Sequence, residues 1–257
     1  MSMNISSVSN QNLYHSYQKL SSGKRINKAA DDPAGHAIAE KLKSQINGYD
    51  VAKRNAGIFQ SMTNVAEGAL GSITDSLQRI RELSIQASNG IYTAEDKAYL
   101  QDEIEQLKSH ISATAGQTQF NTMNLLDGSN SSLHAAVNPN GSGMEVNMPV
   151  STLDVLGISD YDVTGDFDIS VIDNALKMVG SSRGGLGATS NRLDYTMAFN
   201  SSMSINLTAS HSRIEDLDYP KAVTEQKKEQ VLMQYRLMMQ RKMLDNADGS
   251  VRKLFAM

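Results

Sequence analysis

The feature that most constrains the fold is a long heptad seam in the C-terminal half of the chain, spaced alternately four and three residues apart. It covers 43 positions, from Ile172 to Ile214. A helix rises about 1.5 Å per residue, so the seam predicts a helix roughly 65 Å long, more than a compact domain of this size needs. The seam positions are Ile172, Leu176, Val179, Arg183, Leu186, Ser190, Leu193, Met197, Asn200, Ser204, Leu207, His211 and Ile214.

Polar residues interrupt this seam, and in coiled coils such residues commonly fix the register and the number of partners. Gly180 and the cluster at residues 184–187 are expected to weaken the helix near its start and to permit close packing there. Pro220 ends the heptad pattern. Lys221–Leu254 then forms a separate, Met-rich amphipathic segment, whose methionines are expected to pack against other helices.

A second heptad seam predicts another long helix, from about Pro33 to Ser88. Asn89-Gly90 is expected to stop it, because both residues tolerate a left-handed C-terminal cap. Thr93, followed by Asp96, predicts the capped start of a further helix, and the short connection predicts an antiparallel helical hairpin. The seam residues are Met62, Val65, Ala69, Ile73, Ser76, Ile80, Leu83 and Ala87, then Leu100, Ile104, Leu107 and Ile111.

The middle of the chain loses helical periodicity and is rich in Asn, Ser and Gly. Leu133–Val137 and Met144–Met148 predict a short β-hairpin around the turn at residues 138–141. The predicted fold class is therefore mainly α. Long antiparallel coiled-coil helices from both chain ends form a rod, and a small β-hairpin region lies at the middle of the chain.

Composition narrows the functional classes. The 257 residues carry a net charge of -4, so the chain shows none of the strong basicity of nucleic-acid-binding proteins. Aromatic residues are only 5% of the chain, which predicts either a thin, elongated core or burial between subunits. We expect no membrane insertion, since no apolar stretch approaches 18 residues, and no secretory signal peptide at the N-terminus.

Nothing in the sequence predicts an active site. With no Cys, thiolate ligands and thiol nucleophiles are excluded, and the five His have no metal-ligand spacing. Residues 184–187 lack the ending of a phosphate loop. Asp31 and Asp32 precede Pro33 and are interpreted as helix caps. We therefore expect no enzyme, cofactor or metal site.

Several motifs near both ends of the chain resemble bacterial flagellins very closely. LSSGKRINKAADDPAGHAIAEKL at Leu20–Leu42 carries the N-terminal signature, and LQRIRELSIQASNG at Leu77–Gly90 and GQTQFNTMNLL at Gly116–Leu126 extend it. LGATSNRL at Leu186–Leu193 and SRIEDLDYPKAV at Ser212–Val223 match the family's C-terminal region. The motifs cover most of the chain in the family's order.

The resemblance implies a domain plan and a function. Residues 1–35 with 219–257 would form the inner, filament-core domain. Residues 36–218 would form the rod domain, with its β-hairpin region at about 116–168. A subunit of this plan would polymerise into a helical flagellar filament for swimming, using terminal apolar residues Val251, Leu254 and Phe255 in assembly.

The resemblance also implies partners and a location. Expected partners are copies of the same chain or other flagellins, the filament cap and hook-junction proteins, and an export chaperone on residues 219–257. Type III export would carry the chain to the extracellular filament. Toll-like receptor 5 would bind the rod helices through Gln78, Arg79, Leu83 and Glu103. A minor flagellin, a hook–filament junction protein and, from a different class, a coiled-coil adaptor remain open alternatives.

Overall fold

The structure, a computed structural model, describes the backbone of residues 3–255 and the side chains of residues 13–246 and 249. Two compact units are present: unit 1 is Met1–Ile46 with Ile205–Met257, and unit 2 is Asn47–Ser204. The helices are α1 Met3–Ser22, α2 Pro33–Ala87, α3 Ala94–Gln117, α4 Leu153–Leu156, α5 Ser170–Glu215 and α6 Tyr219–Phe255; the strands are β1 Gln119–Phe120, β2 Met123–Asn124, β3 Ser132–Ala135 and β4 Met144–Asn147.

The starts of α2 and α3 confirm the capping predictions. An Asp32 carboxylate oxygen accepts a 2.9 Å bond from the Gly35 N–H, with Pro33 as the first helical residue. Thr93 caps α3 in a complete capping box, since its side chain accepts from the Asp96 N–H while the Asp96 carboxylate accepts from the Thr93 N–H. Both boundaries are therefore local properties of the sequence.

The end of α2 differs from its predicted form. The helix stops at Ala87, but neither Asn89 nor Gly90 adopts a positive φ, so the left-handed cap is wrong. Instead the Asn89 side-chain oxygen accepts from the Ile91 N–H at 3.3 Å, and the Asn89 carbonyl accepts from the Tyr92 N–H. An Asx turn thus provides the stop that a glycine cap was expected to provide.

In unit 2, α2 and α5 pack along each other in opposite directions, as the two seams predict. Polar pairs cross the contact at three levels: Lys53 to Ser201 at 3.2 Å, Gln60 to Asp194 at 2.7 Å, and Arg81 to Asp173 at 2.7 Å. Each pair sums to nearly the same residue number, which is the signature of antiparallel register. Every seam position of α5 is buried or half-buried.

Two details of the seams were predicted incorrectly. Val65 is 41% exposed, and the inward stripe passes instead through Ala66 and Leu70, both fully buried. Gly184 and Gly185 do not support close packing either, because a Cβ at either position would meet no described atom within 4 Å. The helix α5 runs through both glycines without a break.

The middle of unit 2 contains two small antiparallel hairpins. The predicted one is confirmed, with Leu133 opposite Val146 and His134 opposite Glu145 across β3 and β4. The other, β1–β2, was not predicted; its two-residue turn places Asn121 and Thr122 at φ 49° and 65°. Both residues at positive φ is the pattern of a type I′ turn, which matches the twist of paired strands.

The apolar core of unit 2 is a thin layer between α2, α3 and α5, closed by the segments between the strands. All of its main members are less than 2% exposed. They include Leu70, Ile73, Leu77, Ile80, Leu83, Ile104, Ile111, Leu125, Leu126, Ile158 and Ile172. A core built from aliphatic side chains in one layer fits the low aromatic content of the sequence.

Unit 1 pairs α1 with α6. Tyr219 donates to the Leu20 carbonyl at 3.0 Å, and the Gln230 amide donates to the Tyr17 hydroxyl at 3.0 Å, so the two helices run in opposite directions. The sequence prediction that the chain ends lie side by side is confirmed for the described residues. The domain boundaries at residues 35/36 and 218/219 stay a prediction; the units divide within α2 and α5.

Candidate assembly and recognition surfaces

Unit 1 has almost no apolar core of its own. Among its described side chains, Ile26 and Ala39 are the only buried apolar ones. Helix α6 is instead apolar on the outside, with large side chains that are 37–66% exposed between residues 231 and 244. They are Val231, Leu232, Tyr235, Leu237, Met238, Met239, Met243 and Leu244. An exposed apolar surface of this extent marks an interaction site.

The face of α6 that meets α1 is more polar than its outside. The half-buried positions there include Gln226, Glu229, Gln230 and Met233, which repeat at heptad spacing. This arrangement reverses the usual amphipathic helix, whose apolar stripe faces its intramolecular partner. The apolar side of α6 is therefore left for contacts outside the monomer.

A polar clasp, formed by residues 23–25 and 211–217, ties the two chain ends together within unit 1. The Arg25 N–H donates to the Glu215 carbonyl at 2.6 Å, and the Leu217 N–H donates to the Gly23 carbonyl at 2.9 Å. The Glu215 side chain, 9% exposed, accepts from Lys24 Nζ and pairs with His211 Nε2, each at 2.9 Å. A carboxylate this buried requires such partners.

The clasp was not predicted from the sequence, although Lys24 and Arg25 stand in the quoted N-terminal motif. Its partners lie about 190 residues away, and no local periodicity links such positions. The predicted assembly residues Val251, Leu254 and Phe255 lie outside the residues whose side chains the structure describes. Their proposed role stays a prediction.

The structure brings together three of the four residues predicted to bind a receptor. Gln78, Arg79 and Glu103 are exposed. Arg79 Nε donates to Glu103 at 2.8 Å, which joins the α2 and α3 sides of the surface, and Arg79 Nη1 donates to Glu82 at 3.2 Å. Leu83 is 1% exposed and belongs to the core, so its side chain is unavailable to a partner of the folded chain.

Two buried or half-buried amides anchor the β3–β4 hairpin on the long helices. Asn55 of α2 donates to the Ala136 carbonyl at 3.0 Å, and Asn200 of α5 donates to the Val137 carbonyl at 2.9 Å. Asn200 is fully buried on the α5 seam. Its polar seam position was recognised from the sequence, but its partner on the hairpin was not.

A titratable pair stands on the exposed side of the same hairpin. His134 Nδ1 lies 3.0 Å from Glu145 Oε1, and Ser132 donates to the other carboxylate oxygen at 2.9 Å. The hydrogen bond from Glu145 raises the pKa of His134 above its ordinary value, and the Gly141 carbonyl acts in the same direction. The same bond lowers the pKa of Glu145.

Two other site types receive no support from the described residues. No group of three or more His, Asp or Glu side chains there is arranged to hold a metal ion. None of the described helices has the length and hydropathy needed to cross a membrane.

Long antiparallel helices, a small hairpin region, and a terminal unit with its apolar side chains outward define a class of protein: a structural subunit that neighbouring subunits complete. Comparison with protein families identifies the particular class. Residues 1–131 match the bacterial flagellin N-terminal helical region, and residues 169–245 match the bacterial flagellin C-terminal helical region.

Individual relatives agree. The chain is 38% identical to the flagellar filament 33 kDa core protein of Treponema phagedenis, over 88% of this chain and 86% of the relative. It is 40% identical to a flagellin of Halalkalibacterium halodurans, over 84% and 82%. The crystal structure of Bacillus cereus flagellin superposes with a TM-score of 0.51 at 28% identity, covering 62% of this chain and 94% of that one.

The chain belongs to the bacterial flagellin family. It is a structural subunit of the bacterial flagellar filament, and the filament is extracellular. The predicted family and fold class are therefore confirmed. These relatives favour the filament subunit over a hook–filament junction protein and over an adaptor.

Proposed function

We propose that the exposed apolar face of α6, together with α1, is the main surface through which the chain polymerises for swimming motility. The observation that carries this proposal is that the described side chains of unit 1 bury only two apolar residues while α6 exposes many. Repeated, non-closing contacts between identical subunits generate an open helical filament. The role is structural rather than catalytic.

The first test removes apolar groups from the C-terminal turn. A chain truncated after Gly249, and the triple variant Val251→Ser, Leu254→Ser, Phe255→Ser, should not form filaments after salt-induced assembly, as seen by electron microscopy. The loss follows because burying each of these side chains contributes about 1.5–3 kcal/mol. Circular dichroism should show unit 2 still folded.

The matched control changes the charges of the same turn: Arg252→Ser with Lys253→Ser should leave filament yield within about twofold, since surface charges contribute about 0–1 kcal/mol each. A normal filament yield from the chain truncated after Gly249 would remove these three apolar residues from the assembly surface.

We also infer a route to the exterior. The chain would be exported through the flagellar type III apparatus, with an export chaperone bound to residues 219–257. The exposed apolar side chains of α6 support this, because they need cover in a monomer before assembly. The chaperone would occupy the surface that later contacts other subunits, so chaperone binding and polymerisation would exclude each other.

Toll-like receptor 5 is the proposed host partner, and Gln78, Arg79 and Glu103 are its proposed contacts. Their exposure on adjoining parts of α2 and α3 supports one composite surface. An arginine offers a planar set of donors, and truncating an interface hot spot typically costs at least about 2 kcal/mol. We expect Arg79→Ala to weaken binding of the monomer to the receptor ectodomain at least about tenfold, measured by calorimetry.

Arg81→Ala is the matched control, because Arg81 also forms an exposed ion pair between helices, but with Asp173 of α5. It should leave receptor affinity within about twofold, as expected for a surface ion pair. Equal affinities of wild type and Arg79→Ala would exclude Arg79 from the receptor site. A loss of similar size in both variants would instead indicate a general structural effect.

A further inference from the structure

Unit 2 carries an aromatic ridge that its own core does not use. On α5, Tyr195 is 79% exposed and Phe199 is 57% exposed, one helical turn apart. The Phe199 ring meets Tyr49 edge-on, with ring centroids 6.5 Å apart. The chain has few aromatic residues, so two of them exposed side by side are a costly surface to present to water. We call Tyr195 and Phe199 the Tyr195 ridge.

Unit 2 also carries a groove between α2 and the turn of the β3–β4 hairpin. Its volume is about 330 Å³, near the lower end of small-ligand pockets. All nine lining residues are uncharged. The floor and walls include Val51, Ala52, Ala136 and Pro139, and the amides of Asn47 and Asn138 stand at the rim. We call this the Pro139 groove.

The groove owes its shape to a close approach of backbone to helix. A Cβ at Gly48 would lie 2.8 Å from Pro139 Cβ and 3.2 Å from the Pro139 carbonyl oxygen. The hairpin turn therefore rests directly on α2, and Asn55 fixes it there through the Ala136 carbonyl at 3.0 Å. A groove held in this way is formed before any occupant arrives, which reduces the entropic cost of binding.

We propose that the Tyr195 ridge of one copy of this chain docks into the Pro139 groove of a neighbouring copy. The inference rests on the filament function and names one contact within it. A filament needs two different, complementary patches on each subunit, because only such head-to-tail contacts continue without closing. The ridge and the groove are two such patches in unit 2.

The chemistry of the two patches matches. An aromatic ring covers the apolar walls, and the Tyr195 hydroxyl, which makes no hydrogen bond among the described residues, reaches the rim amides. Because the groove has no charged lining residue, docking a tyrosine there desolvates no ion. A charged peptide or an anion would gain no ionic partner in this groove, so a second copy fits it better.

The absence of native cysteine permits a clean cross-linking test. Asn47→Cys places a thiol at the groove, and Asn191→Cys places one a turn from Tyr195 on the exposed face of α5. Filaments of the double variant, treated with a short bis-maleimide, should give a ladder of dimers, trimers and longer multimers. Each single variant should give no product beyond a dimer.

The matched control pairs Asn47→Cys with Gln106→Cys, an exposed position on α3. A ladder from this pair as strong as that from Asn47→Cys with Asn191→Cys would overturn the inference, and so would no ladder from either. Filaments without a ladder would refute only this contact. A wild-type chain that forms no filaments would contradict the filament function as well.

A second measurement uses the ridge itself. Tyr195→Ala should raise the critical concentration for polymerisation at least tenfold, while Tyr99→Ala, which removes a 66% exposed tyrosine from α3, should change it less than twofold. Both side chains are exposed, so both variants should keep the wild-type circular dichroism. Equal critical concentrations for Tyr195→Ala and wild type would remove Tyr195 from the contact.

Discussion

Single polar residues on the α5 seam decide which neighbouring segments the helix meets. Arg183 lies 3.7 Å from a carboxylate oxygen of Glu67, Ser204 donates to Asp50 at 2.9 Å, and Asn200 donates to the hairpin at Val137. Each would be a defect in a purely apolar seam. Because a buried polar group left without a partner costs about 1–3 kcal/mol, these bonds disfavour shifted registers.

At the residue scale, the His134–Glu145 pair gives a pH prediction. The pKa of His134 is raised, so its contribution to hairpin stability is fully present below its ordinary pKa of about 6.5 and is lost as pH rises through the raised value. The pKa of Glu145 is lowered, so its contribution is present above its ordinary pKa and is lost as pH falls through the lowered value. Mildly acidic pH should therefore favour the pair most.

Proton NMR titration of the His134 ring measures this directly. Its midpoint should lie above 6.5 in the wild type and should fall in Glu145→Gln, because the hydrogen-bond partner is no longer a carboxylate. Glu95→Gln, which removes a carboxylate from α3, serves as the control and should leave the midpoint in place. An unchanged midpoint in Glu145→Gln would show that the two side chains do not interact in solution.

At the scale of elements, glycines with different surroundings should respond oppositely to alanine. Gly184→Ala and Gly185→Ala, on an exposed part of α5 with open space around the new Cβ, should each raise the free energy of unfolding by about 0.5–1 kcal/mol. Gly143→Ala should lower it, since its Cβ would lie 1.6 Å from the Ala135 carbonyl oxygen. Urea unfolding of the three variants measures both signs.

A loss of stability in Gly184→Ala or Gly185→Ala would show that these positions pack closely in the monomer, as the sequence had suggested. A Gly143→Ala variant as stable as the wild type would contradict the tight β3–β4 arrangement described for the hairpin.

Elements with local signals were largely predictable, whereas contacts distant in sequence were not. Heptad spacing and the Thr93 capping box predicted α2, α3 and α5, because these signals act within a few residues. Val65 was misplaced since the inward stripe shifts around a long helix by one position, to Ala66. The Asn200 anchor and the clasp at Glu215 join residues 63 and about 190 positions apart, which periodicity cannot detect.

At the scale of the whole molecule, the two units differ in what stabilises them. Unit 2 holds the continuous apolar core, whereas the described side chains of unit 1 bury only Ile26 and Ala39. Ordering a residue costs about 1–2 kcal/mol in backbone entropy alone, and unit 1 has little burial to offset this cost. We therefore expect its helices to gain most of their stability from neighbouring subunits.

Hydrogen exchange of monomer and filament tests this expectation. Amides of residues 219–246 should exchange at least about a hundredfold more slowly in the filament, whereas amides of α2 and α5 around Leu77 and Val179 should be protected in both states. Limited proteolysis of the monomer should cut both terminal segments first. Strong protection of residues 219–246 in the monomer would contradict the dependence on neighbours.

The clasp between residues 23–25 and 211–217 has a consequence for the order in which the chain folds. Lys24 cannot find Glu215 until nearly the whole sequence is available, and closing so large a loop carries a high entropic cost. Unit 2 needs only residues 47–204, which can assemble and bring the two distant segments close together. The clasp thereby acts as a check on completeness: an unfinished or shortened chain can form a core but cannot join its ends, so only a full-length molecule presents the paired helices.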